Sequence, residues 1–90
     1  MELFRMSAAG NVFYIALDDE GGPRPDLLAS HVCHGKGVIA TDGGTVLPAD
    51  GLILGESSPL AQRMFNPDGS EGMCANGLRC LARLIAEMAD

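Results

Sequence analysis

The residues best placed to do chemistry lie in one stretch, Phe65-Asn-Pro-Asp-Gly-Ser-Glu-Gly-Met-Cys-Ala-Asn-Gly-Leu-Arg-Cys80, where a turn-rich loop delivers a cysteine to the start of the strongest helical pattern in the chain. At a helix N-terminus the unbonded N–H groups and the positive end of the dipole stabilise a thiolate, drawing a cysteine from its usual pKa of ~8.5 toward neutrality. That position suits Cys74 to act as a base or as a nucleophile. The same N–H groups, those of Ala75, Asn76 and Gly77, can hold a substrate carboxylate beside the sulfur. The competing reading of Cys74 is a small hydrophobe that packs under the helix.

Other groups with chemical potential read as structural. Cys80 lies six residues further on, about 240° around a helix of 3.6 residues per turn, so the two sulfurs diverge and Cys80 belongs to the core. His31, Cys33 and His34 offer part of a metal set, but no second cluster supplies the remaining ligands; His34 is placed where the dipole of a helix end favours it, and His31 is exposed. Gly35-Lys-Gly37 lacks the spacing and hydroxyl of a phosphate loop, and a single exposed lysine, Lys36, argues against Schiff-base chemistry. Asp68 fits a turn and Glu71 fits the approach to a helix start, so neither demands a catalytic role. Asn11 and Asn66 suit turns equally well, since Asn tolerates left-handed backbone.

Holding such a site requires a helix and a sheet, and the sequence provides for both. Leu78, Leu81, Ile85 and Met88 recur at three and four residues, with Ala82, Leu84, Ala86 and Ala89 widening the apolar face, which predicts a helix over 75–89. Arg79, Arg83 and Glu87 follow on its polar side at four-residue steps. Near the start, Phe4 and Met6 alternate with Leu3 and Arg5, and Asn11-Val-Phe-Tyr-Ile-Ala-Leu17 is rich in β-branched and aromatic residues; two strands joined across Ser7-Ala-Ala-Gly10 follow. Asp18-Asp-Glu-Gly-Gly-Pro-Arg-Pro25 predicts a solvated acidic loop. Asp26 reads as the N-cap of a short helix over 27–34 that ends at Gly35, with Leu28 and Val32 facing inward. A hairpin about Asp42-Gly-Gly44, short strands at Leu52-Ile-Leu54 and Met64-Phe65, and a turn at Asn66-Pro-Asp-Gly69 complete an α+β pattern.

Ninety residues make one small domain at most, and four aromatic side chains leave its core aliphatic. Twelve acidic against six basic residues give a net charge of −6, which repels nucleic acid and anionic membrane surfaces. The apolar run at 12–17 is too short for an export signal or a membrane span, and an odd number of cysteines fits free thiols in a reducing, cytoplasmic setting.

Asn66-Pro-Asp-Gly-Ser-Glu71 followed by Met73-Cys-Ala-Asn-Gly-Leu-Arg-Cys80 resembles the N-terminal signature of the diaminopimelate epimerase family, amino-acid epimerases that work without pyridoxal phosphate. Arg5-Met6, Gly10-Asn11 with Phe13, Cys33-His34 at a helix end and Ala49-Asp-Gly-Leu-Ile-Leu54 opening a strand fall in the same order, so the resemblance covers nearly the whole chain. It implies a mostly antiparallel sheet wrapped around a central helix, here as a single partial domain over 1–90. It implies that Cys74 is one of two opposed thiols acting as base and acid on the substrate α-carbon, with no cofactor. Asn11 and Asn66 would then hydrogen-bond diaminopimelate, and Ala75, Asn76 and Gly77 would bind its carboxylate through their backbone. The family is about three times longer and sets its site between two lobes, so the implied partners are the amino-acid substrate, a second lobe bearing the second thiol, or a second copy of the chain. The alternative is a non-catalytic chain that keeps only a carboxylate-binding helix end or a packing surface. Three differences from the family pattern stand out: Cys-Ala-Asn-Gly where Cys-Gly-Asn-Gly is usual, about nine additional residues in the segment around 39–48, which reads as a peripheral insertion, and a link from Glu71 to Cys74 that is one residue shorter.

Overall fold

The computed structural model of the chain describes residues 3–19, 21–35, 48–57, 60–73 and 75–89. Cys74, Lys36 and the hairpin expected about Asp42 lie outside the described residues. The chain begins with a hairpin of β1 (Phe4–Ala8) and β2 (Asn11–Leu17), in register from Phe4 opposite Ile15 to Ala8 opposite Asn11. Its turn is tighter than the four residues expected, because β1 runs on through Ala8 and leaves only Ala9 and Gly10 at φ +52° and +87°. Left-handed backbone at both central positions matches the right-handed twist of the strands, and Gly10 adopts it without the Cβ clash that Ala9 must bear.

After α1 (Pro25–Val32), the chain adds β3 (Gly51–Ser57), β4 (Leu60–Phe65) and the two-residue β5 (Glu71–Gly72), and ends with α2 (Ala75–Ala89). The five strands of the described residues form one open sheet in the order β1-β2-β3-β4-β5. Its neighbours pair antiparallel except β2 and β3, which run parallel from Phe13 opposite Gly51 to Leu17 opposite Gly55. Parallel strands need a crossover, and α1 lies within it. The sheet is therefore mixed and has a helix on each face; the expected mostly antiparallel sheet holds for three of the four pairings, but it lies between two helices.

Alternation along the strands divides the core in two. Phe13, Ile15, Ile53 and Met64 meet Cys80, Leu81 and Leu84 of α2 on one face, while Tyr14, Ala16, Leu52, Leu54 and Phe65 meet Ala29 and Val32 of α1 and Cys33 just after it on the other. Burial on both faces explains why β2 reads as an unbroken apolar run rather than an alternating one. Each fully buried aliphatic side chain, such as Leu81, contributes about 1.5–3 kcal/mol of apolar transfer.

The helices differ in detail from the expectation. α1 starts at Pro25, two residues earlier than an Asp26 N-cap would give, since the fixed φ of proline suits the first helical position; Arg24 is the N-cap and pairs with Asp26 at 2.9 Å. The helix ends at Val32 with Cys33 as its C-cap, two residues before the expected His34, and Gly35 at φ +80° follows in the turn beyond it, its N–H bonded to Val32 C=O at 2.9 Å. In α2 the buried face is Gly77, Cys80, Leu81 and Leu84, whereas Leu78 is 41% and Met88 57% exposed. The apolar arc of α2 is wider than the sheet can cover, and the helix turns its glycine inward. Among the described residues no helix is long and apolar enough to cross a membrane.

Replacing Ala9 by Asn gives the Asn-Gly pair that this turn favours, and should raise the unfolding free energy by about 1 kcal/mol, seen as a higher urea midpoint at unchanged slope. The described residues that flank 36–47 meet where the Ala49 N–H donates to Cys33 C=O at 2.9 Å. Exchange of residues 39–48 for a single glycine should therefore keep the cooperative transition, with little change in melting temperature. Loss of cooperativity would make that segment part of the fold.

Candidate functional site

Strand direction brings the candidate residues toward one end of the sheet. Asn11 opens β2 opposite Ala8, and β3, parallel to β2, starts at the same end with Gly51 opposite Phe13. β4 returns to that end, where Phe65 stands opposite Leu52 and is followed by Asn66. Asn11 on β2 and Asn66 just past β4 thus stand about two strand spacings apart, roughly 10 Å across the sheet. The first turn of α2 lies over β3: a Cβ at Gly77 would come within 2.9 Å of Ile53 Cδ1, and Leu81 packs under Gly55 one turn further along. The helix accordingly begins near the Asn11–Asn66 end. Ala75 is exposed, Asn76 half-buried and Gly77 buried.

The loop between β4 and β5 is tied by its own polar groups. Asn66 N–H donates to Ser70 C=O at 2.8 Å, and Gly69 N–H donates to Asn66 C=O at 2.9 Å. Asp68 Oδ1 accepts the Ser70 N–H at 2.8 Å and the Ser70 hydroxyl at 2.6 Å, which hold its carboxyl below the usual carboxylate range. The Asn66 side chain is oriented by the same serine, its Nδ2 donating to Ser70 Oγ at 3.0 Å. Asn66 therefore fills the turn role, and that role also fixes the direction of its amide. Asp68 is structural, as its place in the sequence suggested.

Glu71 has a structural partner that sequence spacing does not reveal. Arg63 of β4 grips it through Nε and Nη2, both at 2.9 Å, and lies over the Phe65 ring at 5.1 Å. The guanidinium pulls the Glu71 carboxyl below its ordinary range. This exposed pair adds little stability but orients β5, the strand that leads to the helix. Contact between residues eight apart depends on β4–β5 register, so only the structure exposes it. The first turn of α2 carries no acidic side chain, and the two carboxylates just before it, Asp68 and Glu71, are held by Ser70 and Arg63. Its N–H groups at Ala75, Asn76 and Gly77 are thus a suitable anchor for an external carboxylate.

The described cysteines are of another kind. Cys33 and Cys80 are both buried, and burial followed by the nearby charge of Asp50 pushes the Cys33 thiol up to about 11. A thiol so perturbed stays protonated and inert at neutral pH. His31 and His34 are exposed, with His34 Nδ1 bonded to Ser30 C=O at 2.6 Å, and among the described residues no three His, Cys, Asp or Glu side chains gather as a metal site. An open cavity of about 740 Å³ lies at the other end of the sheet, against Asp18, Glu56 and Arg63. Two of its polar groups serve the fold: Asp18 accepts the Ser57 N–H and hydroxyl, and Arg63 holds Glu71.

No protein-family model matches the chain. Among curated proteins it is 40% identical to the diaminopimelate epimerase of Moorella thermoacetica, over 97% of this chain and 30% of that protein. It is 37% identical to the diaminopimelate epimerase of Desulforapulum autotrophicum, over 92% of this chain and 29% of the relative. With the diaminopimelate epimerase of Geobacillus thermodenitrificans the identity is 41%, over 92% and 28%. The chain spans about three-tenths of the length of these relatives. Over almost its whole length, then, this chain is a homologue of the diaminopimelate epimerases.

Proposed function

We propose that the chain carries one half of a cofactor-independent epimerase site for diaminopimelate, the half that contributes Cys74. The carrying observation is the homology over nearly all of the chain, which includes the loop and helix start that hold the candidate residues. In this reading Cys74 takes or gives the α-proton on one face of the substrate. The N–H groups of Ala75, Asn76 and Gly77 bind the α-carboxylate, and Asn11 and Asn66 hydrogen-bond the rest.

The chemistry accounts for that division of labour. Removing an α-proton without an imine leaves charge that must spread into the neighbouring carboxylate, so donors fixed in advance at that carboxylate lower the barrier. A helix N-terminus seated on a sheet is such a fixed donor set. Inversion also needs a second group to protonate the opposite face, and one thiol cannot serve both. The proposed reaction therefore requires a second thiol, from a second lobe or from another copy of the chain, and closure that excludes water from the carbanion.

Brief treatment of the folded chain with iodoacetamide at neutral pH should alkylate Cys74 well before Cys33 and Cys80, as mapped by mass spectrometry, and saturating diaminopimelate should slow the Cys74 reaction. Labelling of Cys74 last, or at a rate indifferent to diaminopimelate, would overturn the proposal. The 90-residue chain alone should not convert L,L- to meso-diaminopimelate: in D₂O the α-proton signal should decay no faster than with Cys74→Ala. Turnover above that control would mean that two copies of Cys74 face one substrate.

A further inference from the structure

Just before β3 the chain leaves the sheet. The Ala49 N–H donates to Cys33 C=O at the end of α1 at 2.9 Å, and the parallel register with β2 begins only at Gly51, which pairs with Phe13. The N–H of Val12, one residue earlier on β2, is met instead by a side chain: Asp50 Oδ2 accepts it at 2.7 Å. The Asp50 N–H donates in return to Val12 C=O, also at 2.7 Å. The two residues are therefore clamped through both backbone groups of Val12, and the next residue toward the hairpin turn is Asn11. On its other side Asn11 is held by pairing with Ala8.

We propose that Asp50 is a positioning residue for Asn11, its carboxylate serving in place of a strand carbonyl so that β2 stays in the sheet up to the residue that binds substrate. The inference rests on the substrate role proposed above for Asn11. Without the clamp, β2 could fray as far as Phe13 and carry Asn11 out of line with Asn66 and the start of α2. The required feature is an acceptor of carboxylate reach, not a negative charge. Asn keeps such an acceptor at Oδ1, whereas Ala removes it.

The test uses the full 90-residue chain, ¹⁵N-labelled, as wild type, Asp50→Ala and Asp50→Asn, with L,L-diaminopimelate as probe. Loss of a hydrogen bond to a charged acceptor should speed amide exchange at Val12 by about tenfold or more in D50A, while Ile15 and Ile53 in the core stay protected. In D50A the diaminopimelate-induced shift of the Asn11 side-chain amide should need at least severalfold more ligand than in wild type. D50N should restore both readouts to within about twofold of wild type. Val12 exchange and Asn11 response unchanged in D50A would overturn the inference, as would D50N behaving like D50A. If D50A does not fold, D50N decides: wild-type behaviour supports the clamp and D50A-like loss of the Val12 bond rejects it. A wild-type chain in which the probe moves neither Asn11 nor Asn66 refutes the proposed substrate and with it the positioning role, whereas fast Val12 exchange in wild type refutes the clamp alone.

Discussion

The parallel pairing of β2 with β3 is the constraint on which the rest depends. It joins the N-terminal hairpin to the β3–β4 hairpin, and it buries the middle of both strands on both faces. Two buried faces need two covers, so α1 and α2 go to opposite sides. The same pairing aligns the starts of β2 and β3, which is why residues as distant in sequence as Asn11 and Asn66 come to one end of the molecule. A one-residue slip between β2 and β3 would exchange the two faces and remove both cores at once.

Charge is distributed to match. Carboxylates on the surface find local donors: Asp26 has Arg24, Asp68 has Ser70, Glu71 has Arg63 and Asp18 has Ser57. None of these exposed contacts adds much stability, yet each fixes a turn or a strand end. The start of α2 receives no acidic residue of its own first turn, and this contrast, in a chain with twice as many acids as bases, makes the helix end distinctive.

What the sequence disclosed follows from range. The β1–β2 hairpin, the turn at 66–69, the helix from Ala75 and the burial of Cys80 all rest on local chemistry or a clear period, and each stands in the structure. The direction of β3 relative to β2 does not, because nothing in Leu52-Ile-Leu54 says which neighbour it will meet. Strands β3 and β4 also extend through Glu56, Ser57 and Gln62, where ladder bonds outweigh the weak strand preference of the residues. The inner face of α2 lies one position away from the one its periodicity indicates, because Leu78 and Met88 are as apolar as Leu81 and Leu84; the close approach of Gly77 to Ile53 decides between them. In the candidate site, Asn66 and the helix start were legible as a continuous motif. Arg63 with Glu71 and Asp50 with Val12 were not, since both contacts cross between strands.

The sheet is also a partition. Cys33 belongs to the layer under α1 and Cys80 to the layer under α2, so a full thickness of paired backbone separates the two buried sulfurs. A disulfide requires α-carbons within about 7 Å, which these faces do not allow. A bridge between residues 33 and 80 could form only in a chain that has not yet built its sheet, and once formed it would hold the two layers on the same side. In the folded chain the partition itself keeps these two thiols from pairing, whatever the oxidant outside.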